Sequence, residues 1–440
     1  MSKNIKSSAV LVKILFLAFL FSPILSLAQH SMPGMSDLNK KNKMTMGQED
    51  CSEMMVWERT TSSCIALPMA TMPMGMWMVH GNGFLVQNSS EGPRGRNRLS
   101  APHMLMADVG HSYGNQYFNA DVMLTFERWT FPKDGNPLLL QIGEVNEDNQ
   151  PYIDGQHPHS SPIMGLTFSD TIRLGEGKDY LKIFFAPRGQ ATDGPIAFMH
   201  RPTGMINPDA PLGHHTAQDV SHITSTVIGA SIALGKFQIE GSVFNGAEPE
   251  PSKVDLPIGS LNSYATRLGY QFSDSAFAMI SAAQVDPSDT RMTTMTKAQR
   301  YSASVYTKHE CGENWILHNT LIYGQLNNHE NMPVLKSYGE EFLFHKLETP
   351  HNYWGRVEFV ERTAMQLAIM AMTGADDPKM VTALTAGYTY KMNLGADLEA
   401  GVGGAITKDI LPREFKDAYG GDPLSGKLFV QLTGMKMGEF

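Results

Sequence analysis

Beyond its first 28 residues the sequence lacks any apolar run of the roughly 20 residues that a membrane-spanning helix requires. The nearest candidate, at 364–372, is only about half as long. A helical membrane protein is therefore excluded, and two classes remain. The chain is either soluble in an exported compartment or crosses a membrane as a closed β-barrel, which also satisfies every backbone hydrogen bond in lipid.

Positive charge is also scarce. The chain has 35 Lys and Arg residues against 44 Asp and Glu, a net charge of −9. Without the three lysines of the first 28 residues, 32 basic residues face 44 acidic ones, and the net charge is −12. Because phosphate contacts require a basic surface, this balance argues against a nucleic-acid partner.

Cysteine is rare, with three in the whole chain. Cys51 and Cys64 lie thirteen residues apart in a region predicted to be exported, where an oxidising compartment permits a disulfide. The alternative is thiolate ligation of a soft metal beside the neighbouring methionines. Cys311 has no obvious partner and fits a packed or turn position.

The chain begins with the pattern of a secretory signal peptide. Lysines at 3, 6 and 13 precede the apolar run 14–21, and Ser26, Leu27 and Ala28 form a small-residue cleavage site. The apolar run is too short to span a bilayer. The sequence therefore predicts a signal peptide at 1–28 and an exported mature protein.

A methionine-rich leader is predicted at 29–76. Eleven methionines lie between positions 30 and 78, and interspersed Pro and Gly residues disfavour a helix. Thioethers are soft ligands that favour Cu(I), and the densest group is Met72, Met74, Met76 and Met78. Copper capture is one interpretation. The others are a disordered tether, or a segment that packs in the barrel mouth.

From residue 77 to residue 440 the pattern predicts an all-β, transmembrane antiparallel barrel of about sixteen strands, with 14–18 allowed. Connections alternate between short ones, such as 112–116 and 235–236, and long ones, such as 132–162 and 188–222. Short turns at one end and long loops at the other are typical of outer-membrane barrels. Sixteen strands are predicted, one of them at 117–131, and aromatic residues near strand ends, such as Trp129, Tyr353, Trp354 and Tyr388, are predicted at the membrane interface. A water-soluble all-β protein is the alternative, although it has no reason to sort its connections by length.

Histidines and aspartates concentrate in two consecutive long loops, which predicts a metal site at one rim of the barrel. The candidate ligands are His157, His159, His200, His214, His215, His222, Asp154 and Asp219. Histidines at i and i+2 share one side of an extended chain, whereas adjacent His214 and His215 would point to opposite sides. The aspartates would ligate or orient imidazoles. The alternative is a polar loop whose histidines bond to the backbone.

Seven segments of the chain are similar to those of a known protein family, at 76–81, 92–95, 137–144, 153–159, 194–201, 213–222 and 241–249. Through them the chain resembles a family of uncharacterised Gram-negative outer-membrane proteins often encoded near copper and heavy-metal resistance genes. The resemblance implies an outer-membrane location and a metal context. Ser160 stands where that family usually has an acidic residue. A Met- and His-rich leader before a barrel is also similar in architecture to copper-resistance protein B.

Three functions follow as hypotheses. The first is a non-enzymatic barrel that binds or moves copper, with outer-membrane lipid and metal ions as its partners and a periplasmic metal-handling protein as a further one. The second is a general porin or structural barrel whose histidines are only hydrogen-bonded. The third is an outer-membrane hydrolase using Ser160, Ser161 or Ser221, although the sequence carries no nucleophile motif.

Overall fold

The computed structural model describes residues 75–440 apart from 149, 160, 176–178, 219–220, 248, 250–252, 287–296, 329–332, 348, 370–373 and 396. The predicted signal peptide and nearly all of the predicted leader lie outside the described residues. So do Cys51, Cys64, Met72, Met74 and Asp219. The predictions made for these positions stay predictions.

Sixteen antiparallel strands form a closed barrel, as the sequence predicts. They are β1 (Gly75–Ser90), β3 (His103–Tyr113), β4 (Gln116–Leu124), β7 (Ile163–Arg173), β8 (Tyr180–Gly189), β9 (Thr224–Leu234), β10 (Phe237–Phe244), β11 (Ser263–Ser273), β12 (Ala276–Val285), β13 (Ala298–Glu310), β14 (Trp315–Asn328), β15 (Leu335–Lys346), β16 (His351–Arg362), β17 (Lys379–Gly395), β18 (Leu398–Ile410) and β19 (Leu424–Glu439). Closure comes from β1, which pairs with β19 on one side and with β3 on the other. The short β2 (Asn97–Ser100) pairs with the far end of β1.

Side chains alternate between an apolar exterior and a polar lumen. On β10, Phe237 and Ile239 are each 52% exposed, while the intervening Gln238 is buried. Large apolar side chains exposed all around the wall would be unstable in water and are stable in lipid. No helix among the described residues is long and apolar enough to cross a membrane. The closed barrel with its apolar exterior places the protein in the outer membrane.

Some aromatic residues predicted for the membrane interface lie elsewhere. Tyr353 and Tyr388 are on the outer wall, with ring centroids 5.2 Å apart, as expected. Trp354 points into the lumen instead, because its Nε1–H donates to Thr389 Oγ1 at 3.0 Å. Trp129 was predicted in a strand at 117–131, but the strand ends at Leu124 and a helical turn, α1 (Glu127–Thr130), follows.

The connections alternate in length as predicted, and two of the long ones carry structure that folds against the inner wall. The first, 125–162, contains α1 and the hairpin of β5 (Asn136–Val145) with β6 (Pro151–Gln156). The second, 190–223, contains a short helical turn (Phe198–His200), α2 (Pro202–Met205) and an irregular turn (His214–Gln218). We call these two connections the plug. A third long loop contributes α3 (Arg413–Tyr419).

The plug is bonded to the barrel wall at several points. Arg201 donates to both carboxylate oxygens of Glu341 on β15, at 3.0 and 2.7 Å. Asn82 on β1 donates to the Met205 carbonyl at 2.8 Å. Arg362 on β16 joins both halves of the plug, because it donates to the carbonyl oxygens of Leu140 and Leu212. These bonds fix the plug inside the lumen, and both histidine motifs lie on it.

Candidate metal centre

Three of the predicted ligands converge. One ring nitrogen from each of His157, His214 and His215 lies within 4.8 Å of the other two. The ring centroids of His157 and His215 are 4.9 Å apart, and those of His214 and His215 are 4.6 Å apart. Nitrogens bound to one ion at 2.0–2.1 Å are at most about 4 Å apart, so small side-chain rotations would complete a shared site.

Two further histidines extend this group. His222 packs against His214, with ring centroids 4.7 Å apart, and its Nε2 lies 3.0 Å from Nε2 of His159. His159 in turn packs edge to face against His157. We call His157, His159, His214, His215 and His222 the histidine cluster. His157 and His159, the i, i+2 pair of the sequence, therefore lie side by side in the cluster.

The turn that carries His214 and His215 is not extended, and this corrects one expectation. Thr216 has φ −118° and ψ 59°, and Ala217 lies in the left-handed region at φ 57°. The chain therefore folds back on itself, and both imidazoles reach the cluster rather than pointing to opposite sides. A left-handed alanine is strained, and such strain persists where surrounding contacts impose it. Ser337 on β15 imposes it here by donating to the Thr216 carbonyl at 2.7 Å.

Glu127 orients His159 and was not predicted from the sequence. Its Oε2 accepts from His159 Nδ1 at 2.6 Å and from the His159 backbone N–H at 3.1 Å, while Oε1 accepts from the His103 N–H. With Nδ1 protonated, His159 Nε2 carries the lone pair that faces the cluster. Burial alone would raise the pKa of Glu127, but the charge and hydrogen bonds of His159 bring it below its ordinary value. Glu127 therefore stays ionised.

Gly143 makes room for the rings. A Cβ at this position would lie 2.6 Å from His215 Nε2 and 3.2 Å from His157 Cδ2. That same Nε2 is buried and makes no hydrogen bond to any described residue. A buried polar nitrogen without a partner is costly unless something else satisfies it. The lone pair of His215 Nε2 and the space beside Gly143 therefore suit a bound cation.

The imidazoles of His157, His214 and His215 are held neutral. Burial, followed by the proximity of His159, lowers the pKa of His157 to about 4. Burial and neighbouring imidazoles also put the pKa values of His214 and His215 well below their ordinary value. Neutral imidazole is the form that ligates metal ions, so at neutral pH no proton has to leave before binding.

Several predicted ligands lie outside the cluster. Asp154 is bound elsewhere: Arg94 Nε is 2.6 Å from its Oδ2, and its Oδ1 accepts from Leu140 N–H at 2.8 Å and from Tyr419 Oη at 2.7 Å. It fastens the β5–β6 hairpin to α3, and this engagement is why it does not face the imidazoles. Asp154 therefore contacts Arg94, Leu140 and Tyr419, and not the imidazoles predicted as its partners.

His200 is also separate from the histidine cluster, and so are Met76 and Met78. His200 lines the lumen cavity below the plug, and burial lowers its pKa to about 4. Met76 and Met78 are in β1, with Met78 buried against the lumen. His222 lines the same cavity and belongs to the cluster as well. It is therefore the residue through which the cavity and the cluster meet.

The Gly143→Ala variant is expected to weaken metal binding at the cluster by roughly 10- to 100-fold while leaving every ligand in place. The reason is that the added methyl group would displace the ring of His215. Gly426→Ala is the matched control, because its Cβ would meet nothing closer than 4.0 Å. Competition titration of Cu(II) measures both variants, and equal affinities would contradict the geometry described here.

Acidification is expected to loosen the plug of the metal-free protein. His157 and His200 have pKa values of about 4 in the folded state, below the ordinary 6.5. Between pH 6.5 and 4 the unfolded plug would bind protons that the folded plug does not, so its stability falls over this window and is full above it. Hydrogen exchange of peptides from 198–218, corrected for intrinsic rates, should be faster at pH 4.5 than at pH 7. Peptides from β12, which has no histidine, should not change.

No protein-family model matches the sequence, and no curated protein matches it. Several solved structures do. OmpT of Vibrio cholerae is 9% identical, with 83% of this chain and 99% of that chain covered and a TM-score of 0.46. An anion-selective porin from Comamonas acidovorans is 10% identical, with 82% and 98% covered and a TM-score of 0.47. OccAB4 of Acinetobacter baumannii is 10% identical, with 84% and 99% covered and a TM-score of 0.40.

Proposed function

We propose that this outer-membrane barrel is a non-enzymatic copper-handling protein that holds its cargo ion at the histidine cluster. The observation that carries the proposal is the convergence of His157, His214 and His215 within 4.8 Å on a plug anchored to the wall. A fourth imidazole, His159, is oriented by a carboxylate in the manner common at metal sites. Structural histidines in loops do not require such an arrangement.

Copper is favoured over other ions by the donor set. Imidazole binds zinc, copper, nickel and iron, and among divalent ions copper binds most tightly to a given nitrogen site. The methionine-rich leader adds a preference for Cu(I).

A diffusion pore is the second candidate, and one observation favours it. Below the plug the lumen holds a cavity of about 400 Å³ with charged lining residues such as Asp121, Lys182, Glu240 and Arg267. A polar lumen of this kind suits small hydrophilic solutes. The buried bonds that cross from plug to wall favour a closed lumen, which is why we place the pore second.

The hydrolase hypothesis has the least support. Ser221 Oγ donates to Asp193 Oδ2 at 2.9 Å and accepts from Arg300 at 2.8 Å. Ser161 Oγ accepts from the Ile163 N–H at 3.3 Å. An activated serine instead needs a histidine as its base, and Ser160 lies outside the described residues.

The test is metal selectivity of the full-length protein in detergent. The protein is dialysed against equimolar Cu(II), Zn(II) and Ni(II) without reductant, so that thioethers of the leader compete poorly. Elemental analysis should find copper in excess of the other two ions, and electron paramagnetic resonance should show hyperfine coupling to several imidazole nitrogens. Retention of no ion, or equal retention of all three, would leave the pore as the better account.

A further inference from the structure

Four lumen residues that play no part in the histidine cluster stand in a single row. The register pairs His80 on β1 directly with Met435 on β19 and with Met106 on β3. Met106 is in turn paired with Met123 on β4. Four adjacent strands therefore present methionine, histidine, methionine and methionine side by side. We call Met435, His80, Met106 and Met123 the thioether row.

The row faces the interior of the barrel. His80 and Met106 are 4% and 8% exposed, and they alternate with residues of the outer wall such as Val109, which is 50% exposed. Directly opposed residues on one face of an antiparallel sheet have Cβ atoms about 4.5–5.5 Å apart. The side chains of Met435 and Met106 can therefore both reach the imidazole of His80 from its two sides.

Two thioethers flanking an imidazole are a soft donor set. Methionine sulfur selects Cu(I) among biological metals, and imidazole also suits copper. A carboxylate is close by, since Asp108 Oδ2 lies 3.9 Å from His80 Nε2. The plain alternative is that these methionines only fill space, since Met106 packs in an apolar cluster with Met164 and Met199. Leucine would fill that space equally well, so the two readings make different predictions for Met→Leu variants.

The row also extends along the lumen towards the histidine cluster. Met78 lies two residues closer than His80 to the start of β1 and is directly opposite Met437 on β19. Strand β1 begins where the predicted leader ends. In the other direction, Met106, Met123 and His222 all line the lumen cavity. Soft donors thus continue from the leader end of β1 to the edge of the histidine cluster.

We infer that Met435, His80 and Met106 form a Cu(I) site, and that the thioether row is a relay between the leader and the histidine cluster. The relay rests on the proposed function, whereas Cu(I) binding by the three residues does not. Passage along this route needs no redox step, because imidazoles bind copper in both oxidation states. Each transfer exchanges one neutral donor for another.

The test uses the full-length protein under reducing conditions, titrated with Cu(I) in competition with a chromophoric Cu(I) chelator. The Met106→Leu/Met435→Leu variant should lose one tightly bound equivalent, with at least about a tenfold fall in affinity at that site. The matched control is Met104→Leu/Met279→Leu, which also removes two lumen thioethers, each 6% exposed. It should titrate like the parent protein.

If the Cu(I) titrations of the Met106→Leu/Met435→Leu variant and the parent superimpose, the inference is overturned. If the double variant does not fold, the single Met435→Leu change, at a partly exposed position, carries the same test. X-ray absorption spectroscopy of bound Ag(I) in the parent, the control and the Met106→Leu/Met435→Leu variant gives a second readout. Sulfur scatterers should be lost only in the Met106→Leu/Met435→Leu variant. Cu(II) bound at the histidine cluster is measured separately. Loss of that signal with an intact Cu(I) site would count against the proposed function and not against the row.

Discussion

Replacing His214 and His215 together by alanine is expected to lower the affinity of the plug for Cu(II) by at least about 100-fold. Two of the three converging nitrogens disappear, and His157 loses both imidazoles with which it forms the three-nitrogen group. His159 and His222 remain, but their Nε2 atoms lie 3.0 Å apart, within hydrogen-bond distance of each other. The measurement is competition titration with a Cu(II) chelator, together with nitrogen hyperfine structure in the resonance spectrum.

The matched control for this prediction is His318→Ala/His345→Ala. These two histidines are also buried in the lumen and are stacked with ring centroids 5.5 Å apart, but they belong to β14 and β15 and not to the plug. Their removal should leave the Cu(II) affinity within the error of the parent value. Equal losses in both double variants would mean that copper binds generally to barrel histidines, and the cluster would have no special role.

The Arg201→Ala variant is expected to free the plug and raise the conductance of the barrel in planar bilayers. Arg201 is fully buried and donates to both oxygens of Glu341 and to the Ile196 carbonyl. Without it Glu341 keeps only Arg356 as an ionic partner among the described residues. Breaking a buried ion pair by removing one partner costs about 3–5 kcal/mol. A cost of that size is expected to loosen the 190–223 loop around Arg201, where the remaining ionic anchors of the loop include the pairs Arg300–Asp193 and Lys427–Asp209.

Arg267→Ala is the control for conductance. Arg267 also lines the lumen and pairs with Glu240, with 2.9 Å between Nε and Oε2, but both residues belong to neighbouring wall strands. Its removal changes the lumen charge without releasing the plug. We expect small, stable conductance in the parent and in Arg267→Ala, and larger, fluctuating conductance in Arg201→Ala. A parent protein that already conducts like the Arg201 variant would support the pore.

The fold was predictable from the sequence because period-two alternation and loop length are local signals. Each of the sixteen predicted strands overlaps an observed one, and the greatest error, at 117–131, comes from the chain leaving the wall at Leu124. The end of that strand depends on contacts with distant residues. Glu127 bonds to His159, and Thr130 Oγ1 donates to the Ala101 carbonyl at 2.9 Å. No local pattern contains that information.

The candidate site was predictable in its histidines and not in its supporting residues. Histidine density in two consecutive loops pointed to His157, His214 and His215, which the structure brings together. Asp154 has the right chemistry for a ligand, but its partners Arg94 and Tyr419 come from loops far away in the sequence. Glu127 and Gly143 carry no motif, and only the folded plug shows what they contact. The local sequence shows which residues have side chains able to bind a metal, whereas the orientation of those side chains depends on tertiary structure.

The most direct test of the central claim is an anomalous difference map at the copper absorption edge, from crystals of the full-length protein grown with Cu(II). The account predicts a peak on the plug, roughly 2 Å from ring nitrogens of His157, His214 and His215. A map with no peak among these three rings, in crystals where copper is bound elsewhere on the chain, would contradict it.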